Sequence, residues 1–326
     1  MSIVTTQQLA RYYERFKNTD VTFNRQVISA VGLAAKGVYL KAQDRQLSCT
    51  VFSSSMTSAR VVASVPGRMM AALKQPTARL SLRWCFKLPD KVEPMTFFVA
   101  CRPTGFTHYA VQGPDVHFIT LEFTQRPPDD LILILGSLLE AKFNSQKRKD
   151  ERIVLNPETM KKLGLETREA TLVVEGRASK CVLRDLSFSG ATVLATGNAG
   201  ALADRAVTLK FFPGDQSPEL AIAGRINRAD EVGGRRGILA VSIEYTGDPP
   251  MSYKLLINSY VSTFRRAAPD TGPAVETPTQ GPAAAQVGEG PAGDAAAPTV
   301  IGQGTDGIPE EADPMDEAGV KGPADG

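Results

Sequence analysis

The sequence is poor in the residues that most metal and nucleophile chemistry uses. It holds two histidines, His108 and His117, and four cysteines, Cys49, Cys85, Cys101 and Cys181. No two cysteines form a C-x-x-C pair, and each lies in a strand-like run. A zinc site needs close-spaced thiolates or imidazoles, so this pattern argues against bound metal. Scattered thiols of this kind also suit a reducing compartment. Long apolar runs are missing as well. The longest, Leu131-Ile132-Leu133-Ile134-Leu135, stops at Gly136, well short of the roughly 18 residues that span a bilayer. Residues 1–17 carry Arg11, Glu14, Arg15 and Lys17 around no apolar centre, so no signal peptide is read there. The expectation is a soluble, cytoplasmic chain with no metal and no cofactor.

Acidic residues are scarce in the body and gathered at the end. The net charge is +2, but eleven Asp or Glu and one lysine fall from Ala267 onward, leaving 36 basic and 24 acidic residues, a balance of +12, in residues 1–266. A basic body suits an anionic ligand or partner, and it equally suits a solvated surface. The tail, 267–326, is dominated by Ala, Gly, Pro and acids, with Val300, Ile301 and Ile308 nearly its only large aliphatics. Such a segment buries too little apolar surface to offset its ordering entropy and is read as disordered. A tether, an interaction tail and a shield over the basic body all fit it.

The remaining chain is rich in short strand-like segments. A helix is expected over 5–17, with Thr5 or Thr6 as cap and Leu9, Tyr12, Tyr13 and Phe16 on one face. Strands are expected at Val27–Leu33, Gly37–Leu40, Leu47–Phe52, Arg60–Val65, Ala78–Phe86, Met95–Cys101 and Val116–Phe123. Turn signals at Lys87–Pro89, Arg102–Gly105 and Gly113-Pro114 separate them, and Gly67–Leu73 reads as a short helical insertion. Arg126–Asp130 reads as a stop and N-cap before a helix from Leu131 to about Gln146. Further strands follow at Glu151–Leu155, Ala170–Glu175, Ser179–Leu186, Ala191–Ala195, Ala206–Phe212, Leu220–Ala229 and Gly237–Tyr245, then a helix from Asp248 to about Arg266. The fold class is mainly β: two small antiparallel β-barrels with a connecting helix, short terminal helices and a disordered tail. The expected division is 1–142, 143–266 and 267–326.

One pair of segments carries usable chemistry. Arg148 and Arg152 stand four apart at the exit of the connecting helix, and Asp185-Leu186-Ser187-Phe188-Ser189-Gly190 forms a strand-to-strand turn. An arginine fork donates two parallel bonds to phosphate oxygens or to the O6 and N7 edge of guanine, and its plane stacks on a base. An ionised Asp185 accepts only, so it can take the N1 and N2 protons of guanine. Ser187 offers a hydroxyl to phosphate or base, and Gly190 allows a sharp turn and close approach. Taken singly, these residues also fit a solvated charge run and a turn that caps its own backbone.

Arg148-x-x-x-Arg152 followed by Asp185-x-Ser187-x-x-Gly190 resembles the paired signature of PilZ domains, R-x-x-x-R and [D/N]-x-S-x-x-G. The resemblance covers about 143–266, including the strands around Gly224-Arg225-Ile226 and Val241–Tyr245. It implies a six-stranded antiparallel barrel that binds the bacterial second messenger cyclic di-GMP. Arg148 and Arg152 would hold guanine and phosphate, Asp185 and Ser187 would read the guanine edge, and Gly190 would permit the approach. Residues 1–142 resemble, more loosely, the degenerate partner domain that precedes PilZ in spirochaete proteins. The implied function is a receptor without enzymatic activity that relays the ligand by interdomain rearrangement to motility, surface or gene-expression partners. In that scheme the arginine-bearing linker is drawn onto the turn by the ligand.

Two other readings remain beside it. The +12 body on an all-β scaffold allows a nucleic-acid-binding module, although no aromatic-plus-basic cluster is visible on one strand. An enzyme would need a catalytic motif around His108 or His117, and the sequence offers none. Gly233-Gly234-Arg235-Arg236-Gly237 lies between strands and reads as a hairpin turn rather than a phosphate loop.

Overall fold

The structure, a computed structural model, describes residues 5–267 except 43–44, 76, 89–90, 110–112, 114, 215–216 and 234–236. The side chains of 68 and 263–267 lie outside it, as do the expected tail beyond Ala267 and parts of the expected turns at 87–89, 113–114 and 233–237.

Helix α1 (Thr6–Phe16) is capped by Thr5, whose hydroxyl accepts from the Gln8 N–H at 3.3 Å. It buries Leu9, Tyr12 and Phe16 at helical spacing. Strand β1 (Val21–Thr22) precedes α2 (Arg25–Val31), where the sequence leads one to expect a strand at Val27–Leu33. Asn24 caps this helix through the Val27 N–H at 2.9 Å, and Gly32 closes it with left-handed backbone at φ +66°. The two caps outweigh the β-branched residues between them.

The first barrel is built from β2 (Tyr39–Ala42), β3 (Arg45–Ser54), β4 (Ser58–Ser64), β5 (Leu80–Phe86), β6 (Met95–His108) and β7 (Val116–Phe123), with α3 (Gly67–Leu73) inserted after β4. Their order, β3-β2-β5-β6-β7-β4, closes through β3–β4 pairing, and β1 adds to the end of β3. The turn expected at Arg102–Gly105 is instead a slip of register inside β6, between Pro103 and Gly105. Proline has no N–H for the ladder, and a bulge accommodates it. Leu40, Leu82, Trp84, Phe86, Ile119 and Leu121 fill the interior.

Helix α4 (Asp129–Lys147) follows. Pro128 occupies its cap position, while Asp129 and Asp130 fall in the first turn. The acids therefore act on the helix dipole rather than as the expected cap. Leu131, Ile132, Leu135 and Leu138 join the first core. Gly136 lets α4 cross α1 closely, since a Cβ there would stand 2.3 Å from Tyr12 Cδ2.

Strand β8 (Ile153–Val154) leads to α5 (Pro157–Leu163), a helix absent from the sequence reading; Asn156 and Thr159 form its capping box. The second barrel comprises β9 (Glu169–Val174), β10 (Arg177–Leu186), β11 (Gly190–Thr196), β12 (Ala206–Phe211), β13 (Leu220–Glu231) and β14 (Ile238–Tyr245), with the short α6 (Ala199–Leu202) after β11. Its order, β10-β9-β12-β13-β14-β11, closes through β10–β11. Helix α7 (Met251–Ala267) lies between the two cores: Tyr253, Ile257 and Val261 belong to the second, and Met251 and Leu255 pack on the first.

The two barrels share one wiring. Register slips between Leu183 and Asp185 in β10, and between Val51 and Ser53 in β3. The short strand β8 pairs with Asp185 and Leu186, as β1 pairs with Ser53 and Ser54. The same turn follows each bulge: the Ser187 N–H donates to Gly190 O at 2.8 Å, and the Ser55 N–H to Ser58 O at 2.9 Å. By this register Ser53, Ser55 and Ser58 stand where Asp185, Ser187 and Gly190 do. Counting back from β1 and β8, Phe16 and Asp20 stand in place of Arg148 and Arg152. The first barrel thus keeps the serine of the turn and lacks both arginines, the acid and the glycine.

Candidate functional site

Helix α4 ends at Arg148, whose N–H donates to Asn144 O at 2.8 Å. The Arg148 guanidinium bonds Glu151 at 3.0 Å. The chain then runs across the Asp185–Gly190 turn and is fastened to it at successive points. Lys149 O accepts from the Ser189 N–H at 3.1 Å, and Asp150 Oδ1 accepts from Ser189 Oγ at 2.8 Å. Arg152 Nη1 donates to Asp185 Oδ1 at 2.6 Å and to Thr192 Oγ1 at 2.9 Å. The linker therefore lies on the turn, in the place to which the expected scheme has ligand draw it. Charge-assisted bonds and a backbone bond suffice to place it.

The bulge in β10 sets Asp185 beside β8, with its side chain 11% exposed. Its second carboxylate oxygen carries no hydrogen bond among the described residues. Ser187 is fully enclosed. Its hydroxyl accepts from the Gly190 N–H at 3.0 Å and donates to Gly190 O at 3.1 Å, so it builds the turn. At Gly190 the tight neighbour is protein: a Cβ would stand 2.3 Å from Ile243 O on β14.

The structure thus brings Arg152, Asp185, Ser187 and Gly190 together, while Arg148 at the helix end pairs with Glu151. It also adds residues that the sequence did not single out. Asp150 and Ser189 stand inside the two motifs, and Thr192 lies two residues beyond Gly190, so spacing could have suggested them. Tyr253 on α7 had no local signal. Its hydroxyl donates to Ser187 O at 2.7 Å and stands 3.0 Å from Tyr245 Oη. Burial drives both phenols well above their ordinary pKa, so they remain protonated.

Elsewhere, the His108 and His117 rings lie tilted to one another with centroids 5.3 Å apart. Among the described residues no group of three or more His, Cys, Asp or Glu could hold a metal ion. Burial pushes the Cys49 and Cys101 thiols up to about 12 and the Cys181 thiol to about 11, which keeps them as unreactive thiols. No described helix is long and apolar enough to cross a membrane.

Residues 7–142 match the sequence model of the PilZN3 domain, and residues 146–262 that of the PilZ domain. The chain is 37% identical over 271 residues to a Treponema denticola protein named cyclic di-GMP binding protein, spanning 83% of this chain and 86% of the relative. The chain belongs to the PilZ family. Its PilZ domain holds the linker and the second barrel; its PilZN3 domain holds the first. Among solved structures, the Borreliella burgdorferi PlzA protein in complex with c-di-GMP is similar at 20% identity and TM-score 0.36, over 78% of this chain and 98% of that one. YcgR from Escherichia coli in complex with c-di-GMP is similar at 17% identity and TM-score 0.24, over 72% of this chain and 86% of that one.

Proposed function

We propose that this PilZ protein is a cytoplasmic cyclic di-GMP receptor that works by binding rather than turnover and needs no cofactor. The observation that carries the reading is the Arg148–Arg152 linker laid across the Asp185–Gly190 turn and tied by the Arg152–Asp185 pair. The naming of a relative 37% identical as a cyclic di-GMP binding protein supports it. In this scheme guanine N1 and N2 donors replace Arg152 on Asp185, which an ionised carboxylate accepts. The released Arg152 fork then grips phosphate, and Arg148 leaves Glu151 for a second phosphate oxygen or a base face. Loss of the Arg152–Asp185 tie loosens the linker between the barrels and relays the event to an effector in motility, surface or gene expression. Titration calorimetry with cyclic di-GMP tests the binding. Wild type is expected to bind, and Arg148→Ala and Asp185→Ala each to weaken binding by about 30-fold or more. Absence of binding by wild type, or undiminished binding by both variants, removes the reading.

One observation favours a second role, in nucleic-acid binding. On the outside of the first barrel, Phe52 is 41% exposed and meets Phe118 edge-on at 5.2 Å. Tyr109 adds a third ring, 4.9 Å from Phe118. The Arg60 guanidinium stands 5.5 Å from both the Phe52 and Phe118 centroids and makes no ion pair among the described residues. Rings with an unpaired arginine on a barrel face suit stacked bases of single strands. The sequence hid this cluster because its members come from β3, β4, β7 and the residue after β6. Fluorescence anisotropy with a labelled oligo-dT, repeated across a salt series, is expected to show salt-sensitive binding that Phe118→Ala weakens. No binding at low salt would discard this role.

A further inference from the structure

The Arg148–Arg152 linker and the Asp185–Gly190 turn, the two halves of a nucleotide clamp, lie on different stretches of chain, joined in sequence through α5 and the β9–β10 hairpin. One helix touches both. Near its start, Tyr253 of α7 holds Ser187 O at 2.7 Å, inside the turn that follows Asp185. Farther along, α7 reaches α4. Asn144 Nδ2 donates to Asn258 Oδ1 at 2.7 Å, Asn258 Nδ2 to Glu140 Oε2 at 3.3 Å, and Ser262 Oγ to Glu140 Oε2 at 2.7 Å. Asn144 is also the residue whose carbonyl caps Arg148. The same Glu140 carboxylate receives Tyr12 Oη at 2.7 Å and Arg11 Nη2 at 3.0 Å from α1. Glu140 and Asn258 are each 4% exposed, and Asn144 is 7% exposed.

A buried carboxylate is tolerated when its charge is paired and its oxygens are hydrogen-bonded. Glu140 meets that condition only while α1, α4 and α7 hold their present register, because its donors come from two helices besides its own. Slippage of any of the three leaves a charge or a buried amide without partners. Asn258, in turn, both donates to Glu140 and accepts from Asn144, so the last turn of α4 is tied to the same point.

We propose that α7 is a strut fixing the Arg148 end of the clamp against the Ser187 turn, with Glu140 the positioning residue that couples this geometry to the amino-terminal helix. The proposal rests on the clamp being the nucleotide site, and it adds a regulatory input to that site. Helix α1 touches Glu140 and so biases the clamp. By reciprocity, nucleotide binding changes the hold of Glu140 on α1 by the same free energy. Whatever covers or displaces α1 thereby tunes nucleotide affinity.

The test combines amide hydrogen exchange of the full chain without nucleotide and calorimetric titration with cyclic di-GMP. Glu140→Gln is expected to raise exchange at 148–152 and 187–190 and to lower affinity about fivefold or more. Val61→Ala, which opens space in the first core and is compared at matched loss of stability, is expected to leave both close to wild type. Tyr253→Phe keeps the packing and is expected to raise exchange at 187–190 while α1 stays as in wild type. The strut is overturned if Glu140→Gln and Val61→Ala disturb the clamp alike, or if the effect of Glu140→Gln stays within 6–16. A wild-type chain that fails to bind, in which Glu140→Gln still loosens both clamp segments, rejects the nucleotide reading and retains the strut.

Discussion

At the scale of single residues, Gly190 and Ser58 make the sharpest pair. They occupy the same place in the two barrels, yet one is glycine and the other carries a side chain. With Ile243 O 2.3 Å from the site of a Cβ, Gly190→Ala must push β11 away from β14. A loss of about 2–3 kcal/mol is expected from overpacking against backbone. Ser58→Gly in the first barrel is expected to cost about 1 kcal/mol or less, since it removes no core volume. Urea unfolding of the two variants separates them. Thr192→Val tests a residue that only the structure revealed. It deprives Arg152 of a bond of 2.9 Å in the place it leaves when guanine takes Asp185, and it is expected to tighten cyclic di-GMP binding by about fivefold or less, opposite in sign to Asp185→Ala. That Arg152, Asp185, Ser187 and Gly190 come together was legible because their spacing is a family signature. Their present bonds were not, because a signature records which residues meet and says nothing of whether a hydroxyl faces ligand or its own turn.

At the scale of elements, most strands were legible, and of the short helices α3 was while α2, α5 and α6 were not. Alternating burial marks β4 and β13 plainly, and the period of two is local information. In α2, Val27, Ile28 and Val31 point to a strand on composition, and only the flanking Asn24 and Gly32 argue otherwise. In α5 the signal was a capping box, Asn156 with Thr159, next to Pro157 and ahead of Gly164. These caps make a direct test. Asn156→Ala is expected to cost about 1 kcal/mol, because it strips the Thr159 N–H of its acceptor at 2.9 Å. Thermal or urea unfolding checks it, and a change near zero would mean that tertiary packing alone holds α5. The α4–α7 contact is the opposite case: polar residues at 140, 144, 258 and 262 look like solvated helix positions until the helices are placed side by side.

At the scale of the whole molecule, acid stability reports on the junction of the helices. Burial pushes the Glu140 carboxyl up, but hydrogen bonds from Ser262, Tyr12 and Asn258 and the charge of Arg11 outweigh it and hold the group below its ordinary value. A carboxyl depressed in the folded state stabilises above its unfolded pKa of about 4.3, and this contribution disappears as pH falls through the folded value. Glu140→Gln is therefore expected to be less stable than wild type by about 1–3 kcal/mol at pH 7. The gap should narrow on acidification below about pH 4. Urea unfolding at neutral and acidic pH measures it, and a gap independent of pH would show that Glu140 gains nothing from being charged. The two-barrel plan itself was legible from the run of strands, but the equivalence of the barrels was not. It resides in hydrogen-bond register, and the residues that occupy matching positions differ.

That equivalence gives the molecule an internal reference. Where both barrels spend the same residue type on the same task, as Ser55 and Ser187 do, the need is architectural and belongs to any chain folded this way. At Asp20 against Arg152 and Ser53 against Asp185 the residues differ although the register is the same, so the shared strand plan alone did not choose them. Each exchange of a residue for its counterpart is thus a measurement with its own blank, made inside one polypeptide and under one set of conditions.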